Sequence, residues 1–209
     1  LYSVELSEDG AQTAAQALLG AKAAPAGESG FESTYESELG TLHITRTGGF
    51  SAVMTGDSRV RSSEKAAEKL LRAMDFQYQT LTREQTETGA VQIRTSQTLL
   101  GVPVLGSQLA LTYTDDCLTA VEGTFYTGGS SITRVSEQEA ISAADALAQL
   151  LARRDALGWV GSAVTGLTQA YLPSDQAGTG IRFVPVWLVE TDAGSFFING
   201  ITREITAET

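Results

Sequence analysis

Two side chains are candidates for chemistry because each is the sole member of its type: His43, in the run TLHITR, and Cys117, beside Asp115 and Asp116. A histidine can serve as general base to a serine, but no G-x-S-x-G turn offers a nucleophile. The alternating run around His43 reads as strand, so a partly exposed strand residue is expected there, not a base. Carboxylates beside a thiol disfavour the reactive thiolate, so Cys117 is expected to be structural. One histidine and one cysteine cannot build a zinc tetrad, and no D-x-D-x-D-G loop offers oxygen ligands to calcium. Asp115-Asp116 reads more simply as a solvated hairpin turn. The 25 acidic residues include no pair marked by an aromatic sugar platform, as glycoside hydrolysis would need. Thr127-Gly128-Gly129-Ser130-Ser131 lacks the lysine of a phosphate loop and reads as a linker. Arg153-Arg154-Asp155 closes a helix, where basic side chains complement the dipole. The expectation is a chain that is not an enzyme, with no catalytic, cofactor-binding or metal-ligating residues.

Composition narrows the partners. With 209 residues, 42% of them hydrophobic, the chain can bury one large core or two to three small ones. A net charge of −11 repels phosphate backbones and anionic headgroups, which argues against nucleic acid as a partner. A single cysteine excludes an intrachain disulfide and is compatible with the cytoplasm or with export. No run approaches the ~20 apolar residues that span a bilayer. The sequence begins at Leu1. Contact with the membrane is therefore expected only through an upstream anchor.

Three segments that would position these residues read as helices. Each opens on serine then glutamate: Ser7-Glu8, Ser63-Glu64 and Ser136-Glu137. Serine is a favoured N-cap, and Glu139 completes a capping box with Ser136. Small or apolar residues follow each serine at the same four offsets. They are Ala11, Ala14, Ala15 and Leu18; then Ala67, Leu70, Leu71 and Met74; then Ala140, Ala143, Ala144 and Leu147. Each set forms one stripe of an amphipathic helix.

Strand-like runs follow each helix. After the first come 31–39, 41–46 and 50–55, the last two joined across Gly48-Gly49. After the second come 76–82, 90–100, 104–113 and 118–127. After the third come 163–172, 181–190, 195–200 and 201–206, with a turn at Asp192-Ala193-Gly194. Two of these segments contain Val-Pro-Val, at 102–104 and 184–186. Proline survives in a strand at an edge or a bulge, so Pro103, bracketed by Gly101 and Gly106, and Pro185 are expected to mark the same bend in duplicated sheets. Leu105, Leu109, Leu111 and Tyr113 should share one face, and Ile181, Phe183, Trp187 and Val189 another. The expected fold class is α+β, with two to three repeated modules, each one helix packed on a curved antiparallel sheet. The expected boundaries are a divergent module at 1–58, a second at 59–128 and a third at 132–209.

Residues 101–106 read Gly-Val-Pro-Val-Leu-Gly and lead through Asp115-Asp116 to Val121-Glu122-Gly123. This stretch resembles the FTP (fungalysin/thermolysin propeptide) module. Ser136 to Ala140, then Val184-Pro185-Val186-Trp187 and Phe197-Ile198-Asn199-Gly200, resemble the PepSY module. The resemblance covers residues 62–206, and its implied fold is the PepSY/cystatin-like one. A propeptide should precede a metallopeptidase, and no H-E-x-x-H occurs. Several such modules in one acidic chain also resemble the YycH/YycI regulators, extracytoplasmic proteins of Gram-positive bacteria anchored by one N-terminal membrane helix.

The resemblance implies an extracytoplasmic, membrane-anchored binding and regulatory protein, acting by protein contact on a sensor histidine kinase of a two-component system. Sheet edges are one surface such a module can offer. Two alternatives stay open: a PepSY-type inhibitor or chaperone of a secreted metallopeptidase, and a binder of cell-wall fragments or small molecules in the cleft between modules.

Overall fold

The computed structural model describes residues 2–4, 8–55, 60–126, 132–175 and 181–208. Its elements run β1 (Tyr2–Val4), α1 (Glu8–Leu19), β2 (Ala24–Ser29), β3 (Glu32–Ser37), β4 (Gly40–Thr45), β5 (Gly49–Met54), α2 (Glu64–Ala73), β6 (Tyr78–Gln85), β7 (Val91–Leu99), β8 (Val102–Thr114), β9 (Cys117–Thr124), β10 (Ile132–Arg134), α3 (Ala143–Ala152), β11 (Val164–Asp175), β12 (Ile181–Thr191), β13 (Gly194–Asn199) and β14 (Ile205–Ala207). No helix among the described residues is long and apolar enough to cross a membrane.

The expected repeat of separate helix-on-sheet modules is not what forms. Fourteen strands among the described residues join in one sheet, with the path β10-β1-β12-β11-β8-β9-β5-β4-β3-β2. β13 and β14 extend it beside β12, and β7 and β6 beside β8. Two long-range pairings weld what the sequence suggested were modules. β5 pairs antiparallel with β9, Ala52 opposite Val121. β8 pairs parallel with β11, Val104 opposite Tyr171. α1 and α2 then share one core instead of covering a sheet each. Ala14, Ala15, Leu70 and Leu71 pack with Leu42, Ile44, Leu109, Leu111 and Val121. One extended sheet leaves fewer unpaired edges than three small ones, and each such edge exposes backbone polar groups.

All three helices lie on one side of this sheet. Ile93, Thr95, Gln97 and Leu99 are buried along one face of β7, leading from the α1–α2 core to a second cluster of Leu99, Val104, Tyr171, Ile181 and Phe183. Phe183 and Val189 alternate along the same face of β12 into the third cluster, built on Ala146 and Leu150 of α3, Trp159, Phe196 and Ile198. Among the described residues the opposite side carries no helix.

The expected stripes of α1 and α2 are all buried: Ala11, Ala14, Ala15 and Leu18, and Ala67, Leu70, Leu71 and Met74. Ser63 caps α2, its hydroxyl accepting from the Ala66 N–H at 3.2 Å. The expected cap at Ser7 lies outside the described residues. The third helix starts later than expected. Its cap is Ser142, accepting from the Asp145 N–H at 3.1 Å, so Ser136 and Glu139 form no capping box. The buried residues of α3 are Ala146 and Leu150, not the stripe of Ala140, Ala143, Ala144 and Leu147.

Both strand prolines sit where a strand changes partner. Pro185 falls between residues of β12 that pair with β1 (181–183) and those that pair with β13 (186–191). Pro103 precedes the bond of Val104 to β11, while β8 from Leu109 onward pairs with β9. The β7–β8 register slips between Ser96 and Thr98 beside it. Gly106, at φ 71°, resets the alternation, so Val104, Ser107, Leu109, Leu111 and Tyr113 point inward and Leu105 does not. β1, β2 and β10 were not expected; β2 is an exposed edge strand broken by a bulge after Pro25.

Candidate functional site

The open side of the sheet over β3–β9 is the broadest polar surface that the strand register assembles. One cross-strand row runs Thr34, His43, Ser51, Glu122, Ala110, Arg94, Thr82. The neighbouring row runs Glu36, Thr41, Val53, Ala120, Thr112, Gln92, Glu84. Directly opposed residues in such a row lie about 5 Å apart, so the charged side chains stand at intervals across small central ones.

His43 is exposed on β4. Its Nδ1 lies 2.9 Å from Glu32 Oε1 and 3.1 Å from Thr34 Oγ1, so both neighbours on β3 orient the ring. At the other end of the row, Arg94 Nε donates to Gln92 Oε1 at 2.8 Å, and Gln92 Nε2 donates to Thr112 Oγ1 at 3.3 Å. Two shallow depressions meet at Arg94 and Gln108. One, of about 230 Å³, is lined also by Thr80, Thr82 and Glu84. The other, of about 300 Å³, is lined also by Glu122 and Gly123. Both open widely to solvent, unlike the concave, mostly apolar clefts that enclose small ligands.

Cys117 opens β9 away from this row, with Arg61 Nη1 3.1 Å from its Sγ. His43 and Cys117 therefore do not share a site. Asp115 and Asp116 form a tight hairpin turn with φ of 50° and 64°, the sign a two-residue β8–β9 connection demands. Asp116 does more than face solvent: it accepts from the backbone N–H of Ser62 at 3.1 Å and from the Ser62 hydroxyl. The hydroxyl bond first, then the backbone bond, holds its carboxyl below the usual range. Asp192 repeats the device at the β12–β13 turn, where the Ser162 backbone N–H and then its hydroxyl lower its pKa.

Arg153 is the C-cap of α3, where the sequence suggested it. Arg154 instead pins the next loop, donating to the carbonyls of Trp159 and Gly161 at 3.2 and 2.8 Å and stacking over the Trp159 ring. The Tyr113 hydroxyl is buried without a partner among the described residues, and burial pushes its pKa up. Among the described residues no group of three His, Cys, Asp or Glu side chains is placed to hold a metal ion. The run 127–131 lies outside the described residues. The sequence singled out neither Arg94 nor Gln108, and Glu122 only within the propeptide-like phrase; period-two alternation marks each as outward-facing, but only the register brings them together.

No protein-family model matches the chain, and no curated protein matches it. Among solved structures it is similar to an uncharacterized protein from Eubacterium rectale ATCC 33656, at 12% identity over 99% of this chain and 84% of that one, with a TM-score of 0.58. It is also similar to the C-terminal domain of Bacillus megaterium YpeB, at 14% identity over 99% of each chain, with a TM-score of 0.43. The first likeness is one of fold; the second is weak.

Proposed function

We propose that this chain is a non-enzymatic, extracytoplasmic binding and regulatory protein whose contact surface is the open polar face of β3–β9. One observation carries the reading: the face is wide, shallow and free of helices, with His43, Glu122 and Arg94 aligned over small neighbours. A surface of this shape suits another protein better than a small molecule, which needs enclosure to bury most of its area. The PepSY-like phrases, and the likeness of the acidic chain to YycH/YycI regulators, support a membrane sensor kinase as the partner.

Photo-cross-linking tests this in the cells that produce the protein. A cross-linking residue at Val53 or Ala120, on the open face, should form an adduct with a kinase ectodomain. The same residue at Glu68, exposed on α2, should not. An adduct with a secreted metallopeptidase would replace the kinase reading with the inhibitor reading. No adduct from either open-face position would overturn both.

A further inference from the structure

Among the described residues, Arg94 is the only lysine or arginine on the open face of β3–β9. Arg83, the other arginine of these strands, sits opposite buried Ile93 and so points to the helix side. A relay orients the Arg94 guanidinium: its Nε donates to Gln92 Oε1 at 2.8 Å, and Gln92 Nε2 donates to Thr112 Oγ1 at 3.3 Å. No hydrogen bond or ion pair among the described residues uses its two Nη groups. A planar fork held through one nitrogen, with its terminal nitrogens open, is prepared to take a carboxylate.

Two carboxylates flank it. Glu84 is its diagonal neighbour on β6, about 7–8 Å away. Glu122 stands on the other side, opposite Ala110 of β8 and two strands from Arg94, about 10 Å. Both are exposed, and neither carboxylate has an ion-pair partner among the described residues. The hollow of about 230 Å³ is lined by Glu84 and Arg94, and that of about 300 Å³ by Arg94 and Glu122. Across β6–β9 the face therefore reads acid, base, acid, with a hollow in each interval.

We propose that the protein partner presents the complement: a carboxylate side chain seated on Arg94, between two lysine or arginine side chains that reach Glu84 and Glu122 through the hollows. This rests on the reading of the open face as a protein-binding surface and names the chemistry that surface recognises. A free small anion does not fit, because the two acids outweigh the one base in a chain of net charge −11. A purely basic partner does not fit either, because it would press like charge against the oriented guanidinium. Complementarity of this kind sets register and excludes wrong partners more than it adds affinity.

Photo-cross-linking from Val53, on the same face but outside the three charges, tests it in the producing cells. The parent chain should give the partner adduct. Arg94→Glu should cut its yield at least roughly tenfold by setting like charges together. Arg94→Lys should cut it less, since lysine keeps the charge but not the planar fork. Glu84→Gln combined with Glu122→Gln should cut it too, since two partner cations lose their counter-charges. Arg72→Glu, exposed on α2, makes the same change in net charge as Arg94→Glu and should leave the yield unchanged. All four altered side chains are exposed, and equal melting temperatures confirm that the variants fold. An adduct insensitive to Arg94→Glu would overturn the inference while leaving the open face as the contact surface. So would a yield that rises in the double glutamine variant, the mark of a simply acidic partner. No adduct from the parent chain would remove the inference together with the reading it rests on.

Discussion

The carbonyl oxygen of Gly200 accepts the Ile141 N–H at 2.9 Å, although Gly200 continues the β12–β13 register opposite Pro185. The Gly200 N–H donates to the Pro185 carbonyl at 2.7 Å, and the return bond of that pair would come from the N–H of residue 185. Proline has none. The freed carbonyl takes the chain leading to α3, and Trp187 Nε1 holds the other side of the same residue by donating to the Ile141 carbonyl at 2.9 Å. Val-Pro-Val-Trp and Asn-Gly are thus two halves of one clamp.

Pro185→Val should restore a donor that competes for the Gly200 carbonyl. Hydrogen exchange at the Ile141 amide is expected to speed up, while amides of β4 and β5 keep their protection. Trp187→Phe should cost about 1–2 kcal/mol in urea unfolding by orphaning the Ile141 carbonyl. Unchanged exchange at Ile141 in Pro185→Val would remove the clamp from the account.

Gly123 and Gly106 both have positive φ, yet alanine should affect them unequally. A Cβ at Gly123, φ 138°, would sit 1.9 Å from the backbone oxygen of Gln108, which the ladder holds in place. A Cβ at Gly106, φ 71°, meets nothing. Gly106→Ala should cost about 1–2 kcal/mol from backbone conformation alone, and Gly123→Ala more than about 3 kcal/mol, from strain plus the clash. Equal losses in chemical denaturation would contradict the geometry.

Asp116 and Asp192 give the stability a defined dependence on acid. Each carboxylate is held below its ordinary pKa by a serine, so the folded state binds that proton less readily than the unfolded chain. Their contribution is complete above the unfolded carboxylate pKa, about 4, and is lost as pH falls through the lower folded value. Both groups are fully exposed to solvent screening, so the effect is small. The melting temperature of Asp192→Asn, followed from pH 7 to pH 3, should fall less steeply than that of the parent chain. Parallel curves would deny Asp192 this role.

Much of the local structure was legible. The stripes of α1 and α2 stand out because four small or apolar residues recur on one helical face, and the longer strands because apolar residues alternate. The start of α3 was not, because Ser136 with Glu139 and Ser142 with Asp145 satisfy the same capping pattern. The clamp on Ile141 makes the choice, keeping the stretch before Ser142 out of the helix. β2 escaped notice because Ala-Pro-Ala-Gly-Glu-Ser has no alternation; its partner β3 makes it a strand.

By itself the sequence determined the buried stripes of α1 and α2, the apolar alternation of the longer strands and the tight turn at Asp115-Asp116. Only the tertiary structure decided that α1 and α2 share one core, that β5 meets β9 and β8 meets β11, and that His43, Glu122 and Arg94 fall into one row. Inward and outward follow from spacing along a single strand, with a period of two. Pairing between strands tens of residues apart depends on which edges can satisfy each other's backbone groups over a common core, and no local pattern encodes that choice.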